Sequence, residues 1–343
     1  WADVWLGLAV GSDIALANAM AREIIHAGLL DRAFVAHATS GFDAYRTAVE
    51  PCTLEWAERV TGVPAGVIRE AARTFATAKN AMICWTLGIT EHHDAVDNVL
   101  ALINLALLTG HVGRRGSGLN PLRGQNNVQG ACDMGGLPNV LPGYQSVADE
   151  NVLARFQQAW GTGVRLSGRP GLMMTEMFPA ILAGKVKAMA VMGENPVLSD
   201  ANVAHVRDAL QHLEFLVVQD IFLTETAALA DVVLPGPSWA EKLGTFTNSE
   251  RRVQFVRPAV PMPGEARPDW WIIGEIARRM GYEALTYGSA EDIMDEINRL
   301  TPSYAGITFE RIGDQGLQWP CPSVEHPGTP ILHVGKFSRG LGA

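Results

Sequence analysis

Residues 187-KAMAVMGENPVLSDANVAHVRDALQHLEFLVVQDIFLTETAALADVVLP-235 decide the architecture. Three short apolar runs, 187–193, 214–220 and 231–235, are each bounded by polar or turn-forming residues, as strands buried on both faces require. Between them lie segments of helical character, about 201–212 and 224–230. Antiparallel neighbours need only a short hairpin, whereas parallel ones need a crossover, so this alternation predicts a parallel sheet.

The same grammar extends outward. Upstream, residues 172–184 read as a helix preceding the first strand, and downstream 269–281 read as another. In the first third, 13–30 and 65–78 carry apolar residues at three- and four-residue intervals. The run 81-AMICWTLGIT-90 reads as a buried strand broken by Gly88, followed by a helix over 94–110. The expected fold is therefore α/β, with two doubly wound, mainly parallel-sheet (Rossmann-like) domains. A chain of 343 residues exceeds the roughly 250–300 at which single cores stop growing, which also calls for two domains. Between them, residues 111–147 are rich in glycine, proline and carboxamides and show no periodicity. We assign 1–122 to the first domain, 123–147 to an inter-domain segment, 148–285 to the second domain, and 286–343 to a connector with a loose tail from 300.

Composition removes several classes of function. The net charge is −9 with a pI near 5.5, and no basic stretch offers a footprint for nucleic acid. The longest apolar run, 99-VLALINLALL-108, is ten residues, short of the roughly 18 a membrane helix needs. Cys52, Cys84, Cys132 and Cys321 are dispersed without a C-x-x-C pair, which suits reduced, mostly buried thiols in a cytoplasmic protein. His92 and His93 adjoin Glu91, but adjacent helical side chains diverge, so no metal site is expected there. Met173, Met174 and Met177 are spaced as a core face.

In open parallel sheets, ligands sit beyond the carboxyl ends of the strands. Those ends read Gly88, 193-GENP-196, 219-QDIFLTET-226 and 235-PGPSW-239. Neither G-x-G-x-x-G nor G-x-x-x-x-G-K-[ST] is among them, which argues against a plain nicotinamide dehydrogenase or a P-loop enzyme. Asp220 and Asp231 offer carboxylates to a ribose diol or to guanine N–H donors, or else cap turns. Thr224 is placed to cap the helix at 224–230 and free its N–H groups for a phosphate. Asn195 and Asn248 are turn formers by type and candidates for ligand contact. Within 121-PLRGQNNVQGACDMGG-136, Arg123 presents a planar donor fork amid glycines and the amides Gln125, Asn126, Asn127 and Gln129, suited to a carboxylate or phosphate.

The run 123-RGQNNVQGACDMGGLPNVLPGYQ-145, with LTGHVGRRGSGLNP before it and MGENP, QDIFLTETAALADVVLP and GTFTNSERRVQ after it, resembles the catalytic (alpha) subunit of molybdenum- or tungsten-dependent formate dehydrogenases. These belong to the molybdopterin oxidoreductase superfamily, and the similarity points to the cytoplasmic, NAD-linked type. The resemblance implies formate oxidation to CO2 at a bis(molybdopterin guanine dinucleotide) centre. Electrons would pass through iron–sulfur clusters and FMN on diaphorase partner subunits to NAD. It implies that Arg123 orients formate with Gln125 close by, and that Gly88 lines one dinucleotide. Gly193, Glu194, Asn195, Gln219, Asp220, Ile221 and Thr224 would line the other, with Asp231 and Asn248 as further candidates.

The family's cysteine- or selenocysteine-histidine pair is missing, because Cys52, Cys84, Cys132 and Cys321 precede Thr, Trp, Asp and Pro. These residues are thus expected to be the central part of a longer subunit, inactive alone, without its iron–sulfur segment and carboxyl-terminal cap. Another molybdopterin oxidoreductase is the rival within the superfamily, and a non-catalytic scaffold subunit of a respiratory complex is the rival from another class. Arg123 within an intact amide motif argues against the scaffold.

Overall fold

The computed structural model describes residues 2–161, 163 and 165–343. The chain divides into two compact units. One runs to Gly124 and includes Pro330–Ala343; the other is Gln125–Thr329.

The first unit is mainly helical: α1 Asp13–His26, α2 Arg32–Ala38, α3 Phe42–Val49, α4 Leu54–Thr61, α5 Ala65–Thr77, then β1 Met82–Trp85, α6 Leu87–Thr90, α7 Ala95–Thr109 and β2 Gly118–Pro121. Helix α1 packs Ala17, Ala21 and Ile24 against Ala72 of α5 and against Ala101, Leu105 and Leu108 of α7. Its apolar residues recur at three- and four-residue spacing, which keeps them on one stripe. Asp31 and Thr53 start α2 and α4 by accepting from Phe34 N–H and Trp56 N–H. Strands β1 and β2 pair in parallel, Met82 with Gly118 through Trp85 with Pro121. The expected strand over 81–90 thus ends at Trp85, and Gly88 falls inside the one-turn α6. Gly342, at the far end of the sequence, bridges in parallel to Thr39.

The second unit holds α8 Val128–Asp133, a small hairpin of β3 Val140–Leu141 and β4 Gln145–Ser146, α9 Glu150–Trp160, α10 Met174–Leu182, β5 Ala188–Met192, α11 Pro196–Ser199, α12 Val203–Gln211, β6 Phe215–Asp220 and β7 Val232–Pro235. Strands β5, β6 and β7 form one parallel sheet in sequential order. Leu216 and Val218 of β6 and Val191 of β5 pack with Phe178 and Ile181 of α10 and Val206, Ala209 and Leu210 of α12. Each of the Val, Leu, Ile and Phe side chains among them contributes about 1.5–3 kcal/mol on burial.

The parallel α/β class is as expected, but the sheets are small. A doubly wound sheet reverses strand order along its length, and the sequential β5–β6–β7 set contains no reversal. The expected helix at 224–230 is a 3₁₀ turn, Ala227–Leu229, because the crossover from Asp220 to Val232 is too short for more. Met173 and Met174 are exposed rather than core, since the buried face of α10 is Phe178, Ala180 and Ile181. Of the cysteines, Cys321 is buried and Cys84 is exposed.

An antiparallel sheet follows, β8 Gly244–Thr247, β9 Arg252–Val256 and β10 Leu317–Gln318, in the order β10–β9–β8. With α13 Asp269–Arg279, α14 Ala290–Leu300 and α15 Phe309–Ile312, it completes the unit. The expected loose tail is in part packed core: Tyr304, Ile307, Ile312 and Cys321 bury against Val253 and Met294. No helix among the described residues is long and apolar enough to cross a membrane.

Candidate functional site

Parallel pairing sends both strands of the first unit's sheet to the same end. Beyond Trp85 the chain turns into α6, which carries Gly88, and beyond Pro121 it reaches Arg123. The Leu122 N–H donates to Trp85 O at 2.8 Å, tying the two exits together. Gly88 and Arg123, chosen 35 residues apart in sequence, therefore share one sheet end. A side chain grafted onto Gly88 would meet nothing within 4 Å, so space lies beside that turn. Arg123 is exposed, and among the described residues no hydrogen bond or ion pair engages its guanidinium.

At the second unit's parallel sheet, the carboxyl ends of β5 and β6 bring together most of the expected residues. Gly193 has φ +62°, a left-handed conformation that glycine adopts without strain, and its N–H donates to Gln219 O at 2.9 Å. Open space again lies where a Cβ would project. The Asp220 Oδ1 accepts from Ile221 N–H at 2.7 Å and Phe222 N–H at 3.1 Å. Its Oδ2 has no protein partner among the described residues. Ile221, Phe222 and Leu223 are exposed beside it.

Other expected residues spend their polar atoms on the loops themselves. Asn195 donates to Glu225 at 2.7 Å, and its Oδ1 accepts from the Thr226 hydroxyl at 2.7 Å and the Thr226 N–H at 3.2 Å. That bond holds the Glu225 carboxyl below its ordinary range. Glu194 accepts from Asn195 N–H at 3.0 Å and Ser199 Oγ at 2.8 Å. Thr224 Oγ1 accepts from Ala227 N–H at 3.1 Å, bracing the loop that leads into the 3₁₀ turn. Gln219 is buried and donates to Asp269 Oδ1 at 2.6 Å, while Lys242 pairs with the other Asp269 oxygen.

The other two expected residues sit before β7 and between β8 and β9. Asp231 precedes β7 and accepts from Leu216 N–H at 2.7 Å, which puts it at the amino end of the sheet, opposite Gly193 and Asp220. Asn248 closes the β8–β9 hairpin, its Oδ1 accepting from Glu250 N–H and Arg252 N–H at 3.1 and 3.0 Å. Three residues that sequence reasoning did not name belong with the strand-end loops: Thr226, Glu225 and Asp200. The first two lie inside the QDIFLTET run, but which side chains of a loop brace it is a three-dimensional fact. Asp200 closes the GENPVLSD loop with Oδ2 buried and without a partner among the described residues. Burial first, then the Glu194 charge, raises its pKa.

The amide-rich segment divides its polar groups. Gln125 and Asn126 are exposed, whereas Asn127, Gln129 and Asp133 turn inward. Asn127, at φ +64°, accepts from Thr247 N–H at 2.9 Å.

A family model described as Molybdopterin oxidoreductase matches residues 1–279. The chain belongs to that family. It is 52% identical over 345 residues to the F420-dependent formate dehydrogenase 2 subunit alpha of Methanococcus maripaludis, covering 99% of this chain and 50% of that protein. It is 46% identical over 344 residues to formate dehydrogenase H of Escherichia coli, covering 99% of this chain and 48% of that one. The acetylene hydratase structure from Pelobacter acetylenicus superposes with a TM-score of 0.69 at 25% identity, over 90% of this chain and 45% of its own. This molybdopterin oxidoreductase chain thus spans about half the length of the curated relatives it matches.

The residues present fit a large cofactor that carries both anionic groups and hydrogen-bond donors. At each parallel sheet, the strand ends offer open space beside a glycine and polar atoms that the protein leaves unspent: the Arg123 fork at one, and Asp220 Oδ2 at the other. Two substitutions test how these loops are held. Thr226→Val strips a fully buried hydroxyl that serves both Asn195 and Val197 N–H, and should cost about 1–3 kcal/mol in urea unfolding. Asp200 has a folded-state pKa raised above its ordinary 3.8, so its charge opposes folding above the folded pKa and that penalty vanishes below 3.8. Asp200→Asn should therefore raise the melting temperature at pH 7, with the gain fading as pH falls; a lower melting temperature at pH 7 contradicts this.

Proposed function

We propose that the complete polypeptide carrying these residues is the catalytic subunit of a formate dehydrogenase, oxidising formate to CO2 reversibly. The observation that carries this reading is Arg123: a permanently charged fork, beside open space at a parallel-sheet end, engaged by no protein group among the described residues. Leaving a guanidinium without a carboxylate serves a protein that binds a small anion there. The names of the Methanococcus and Escherichia relatives support formate as that anion.

We read the two parallel sheets as parts of two doubly wound, Rossmann-like domains whose strand-end loops cradle a bis(molybdopterin guanine dinucleotide) with molybdenum or tungsten. Gly88 would hold one dinucleotide, and Gly193, Glu194, Gln219, Asp220 and Ile221 the other. Asp220 Oδ2 is suited to guanine N–H donors or a ribose diol. Asn195 and Thr224 would keep those loops in shape. Asp231, at the amino end of the sheet, stands outside the proposal, and Asn248 stays a further candidate.

When bound, the metal centre supplies the sink for the two electrons that leave formate. Arg123 then acts by position and charge. Its parallel N–H groups match the formate carboxylate, fix the direction of the C–H bond and offset charge as the bond breaks. Gln125, two residues on and exposed, supplies an amide donor from the same segment. NAD, reached through iron–sulfur clusters and FMN on partner subunits in the cytoplasm, is the acceptor the sequence motifs imply; F420 stands in the names of two relatives from Methanococcus maripaludis and Methanocaldococcus jannaschii. A partner subunit would select between them.

The test is formate oxidation by the complete polypeptide with a viologen dye, then with NAD and F420 in turn. Arg123→Lys keeps the charge and loses the fork, so kcat/KM for formate should fall about 10- to 100-fold, the equivalent of one or two charge-assisted bonds. Unchanged kcat/KM would remove Arg123 from the reaction.

A further inference from the structure

Asp133 has no exposed surface, yet its carboxylate carries a dense set of bonds. Oδ1 accepts from Gln129 Nε2 at 2.8 Å and from the Tyr144 hydroxyl at 2.9 Å. Oδ2 accepts from the Tyr304 hydroxyl at 2.5 Å, and the Asp133 carbonyl accepts from Gly143 N–H at 2.6 Å. Because Tyr304 commits its proton to Asp133, the Thr247 hydroxyl 3.3 Å away is the donor to Tyr304 Oη. The Thr247 N–H in turn donates to Asn127 Oδ1 at 2.9 Å.

The chain of contacts thus runs from a residue 177 positions downstream of Asn127 back to the turn that follows Gln125 and Asn126. Asn127 in that turn is left-handed, a conformation that asparagine adopts more readily than most residues with a side chain. Gly130 makes room for it: a Cβ there would lie 2.1 Å from Asn127 Oδ1. Trp319 stacks on Tyr304 at 6.4 Å and 30°, fixing the phenol ring. Burial and the neighbouring Asp133 charge push the Tyr304 and Tyr144 hydroxyls well above the ordinary phenol range, so both stay donors at any working pH.

We infer that Asp133, Tyr304 and Thr247 are positioning residues that hold the Asn127 turn, and with it the exposed Gln125 just before it, in the conformation the substrate meets. This rests on the formate reading of the preceding section. Asp133 and Tyr304 touch no substrate; they act through Asn127. Polar networks of this kind are retained where a turn must be fixed rather than merely filled, since each buried atom left without a partner is costly.

The experiment uses the complete polypeptide carrying Tyr304→Phe, Thr247→Val or Thr247→Ser. Tyr304→Phe removes one hydroxyl within an unchanged ring and should raise KM for formate about tenfold or more while metal and pterin content stays at the wild-type level. Thr247→Val, which loses the hydroxyl bond to Tyr304 and keeps the backbone N–H, should behave alike, and Thr247→Ser, which keeps the hydroxyl, should be near wild type. In parallel, amide hydrogen exchange should quicken at residues 125–130 in both defective variants and not in β6. The exchange arm needs no turnover. If the wild-type protein exchanges as expected but does not oxidise formate, the functional reading fails and the positioning claim is judged on exchange alone. Tyr304→Phe with wild-type KM and wild-type exchange at 125–130 overturns the inference, as does a loss confined to the unfolding midpoint. Should Tyr304→Phe not fold, Thr247→Val decides.

Discussion

Parallel strand pairing is the constraint from which the site follows. Strands that run the same way put all their carboxyl ends on one edge, and the chain must leave that edge through loops rich in free backbone groups. In one unit this collects Gly88 and Arg123, which share no sequence neighbourhood. In the other it collects Gly193, Glu194, Asn195, Gln219 and Asp220. The chain has a parallel sheet, and so an edge of this kind, in each of its compact units.

What distinguishes binding groups from bracing groups is where their polar atoms are spent. Asn195 uses both ends of its amide on Glu225 and Thr226, so it shapes the loop. Asp220 uses one oxygen to turn the chain and keeps the other. The amide-rich segment follows the same division at larger scale: Asn127 and Gln129 face inward toward Thr247 and Asp133, while Gln125 and Asn126 face out. Its excess of carboxamides in a mostly apolar chain is thereby explained as two jobs on one short stretch. The inward half builds a buried network, and the outward half stays exposed.

Much of the scaffold was legible because its signals are local. The strands at 188–192, 215–220 and 232–235 and the helices at 13–26 and 95–109 follow from apolar runs and spacing alone. The helix at 224–230 failed because a short crossover overrides its alanine-rich propensity. The methionines at 173 and 174 failed because they sit at the first turn of α10, outside its buried stripe. The antiparallel β8–β9 hairpin was hidden inside a run read only as a motif, although its alternating threonines, valines and phenylalanines around the asparagine turn carried the signal. Of the site, the strand-end loops could be found from the sheet rule and the motifs. Tyr304 and Thr247 could not, because their tie to Asp133 and Asn127 joins segments more than a hundred residues apart.

The central claim is that this molybdopterin oxidoreductase chain cradles a pterin dinucleotide at those edges, and it is tested most directly by composition rather than by rate. The complete polypeptide, purified without added cofactor, should carry molybdenum or tungsten together with guanine nucleotide and pterin released on denaturation, at two dinucleotides per metal. Recovery of a folded polypeptide with neither metal nor pterin, after expression in cells that make the cofactor, would contradict the account.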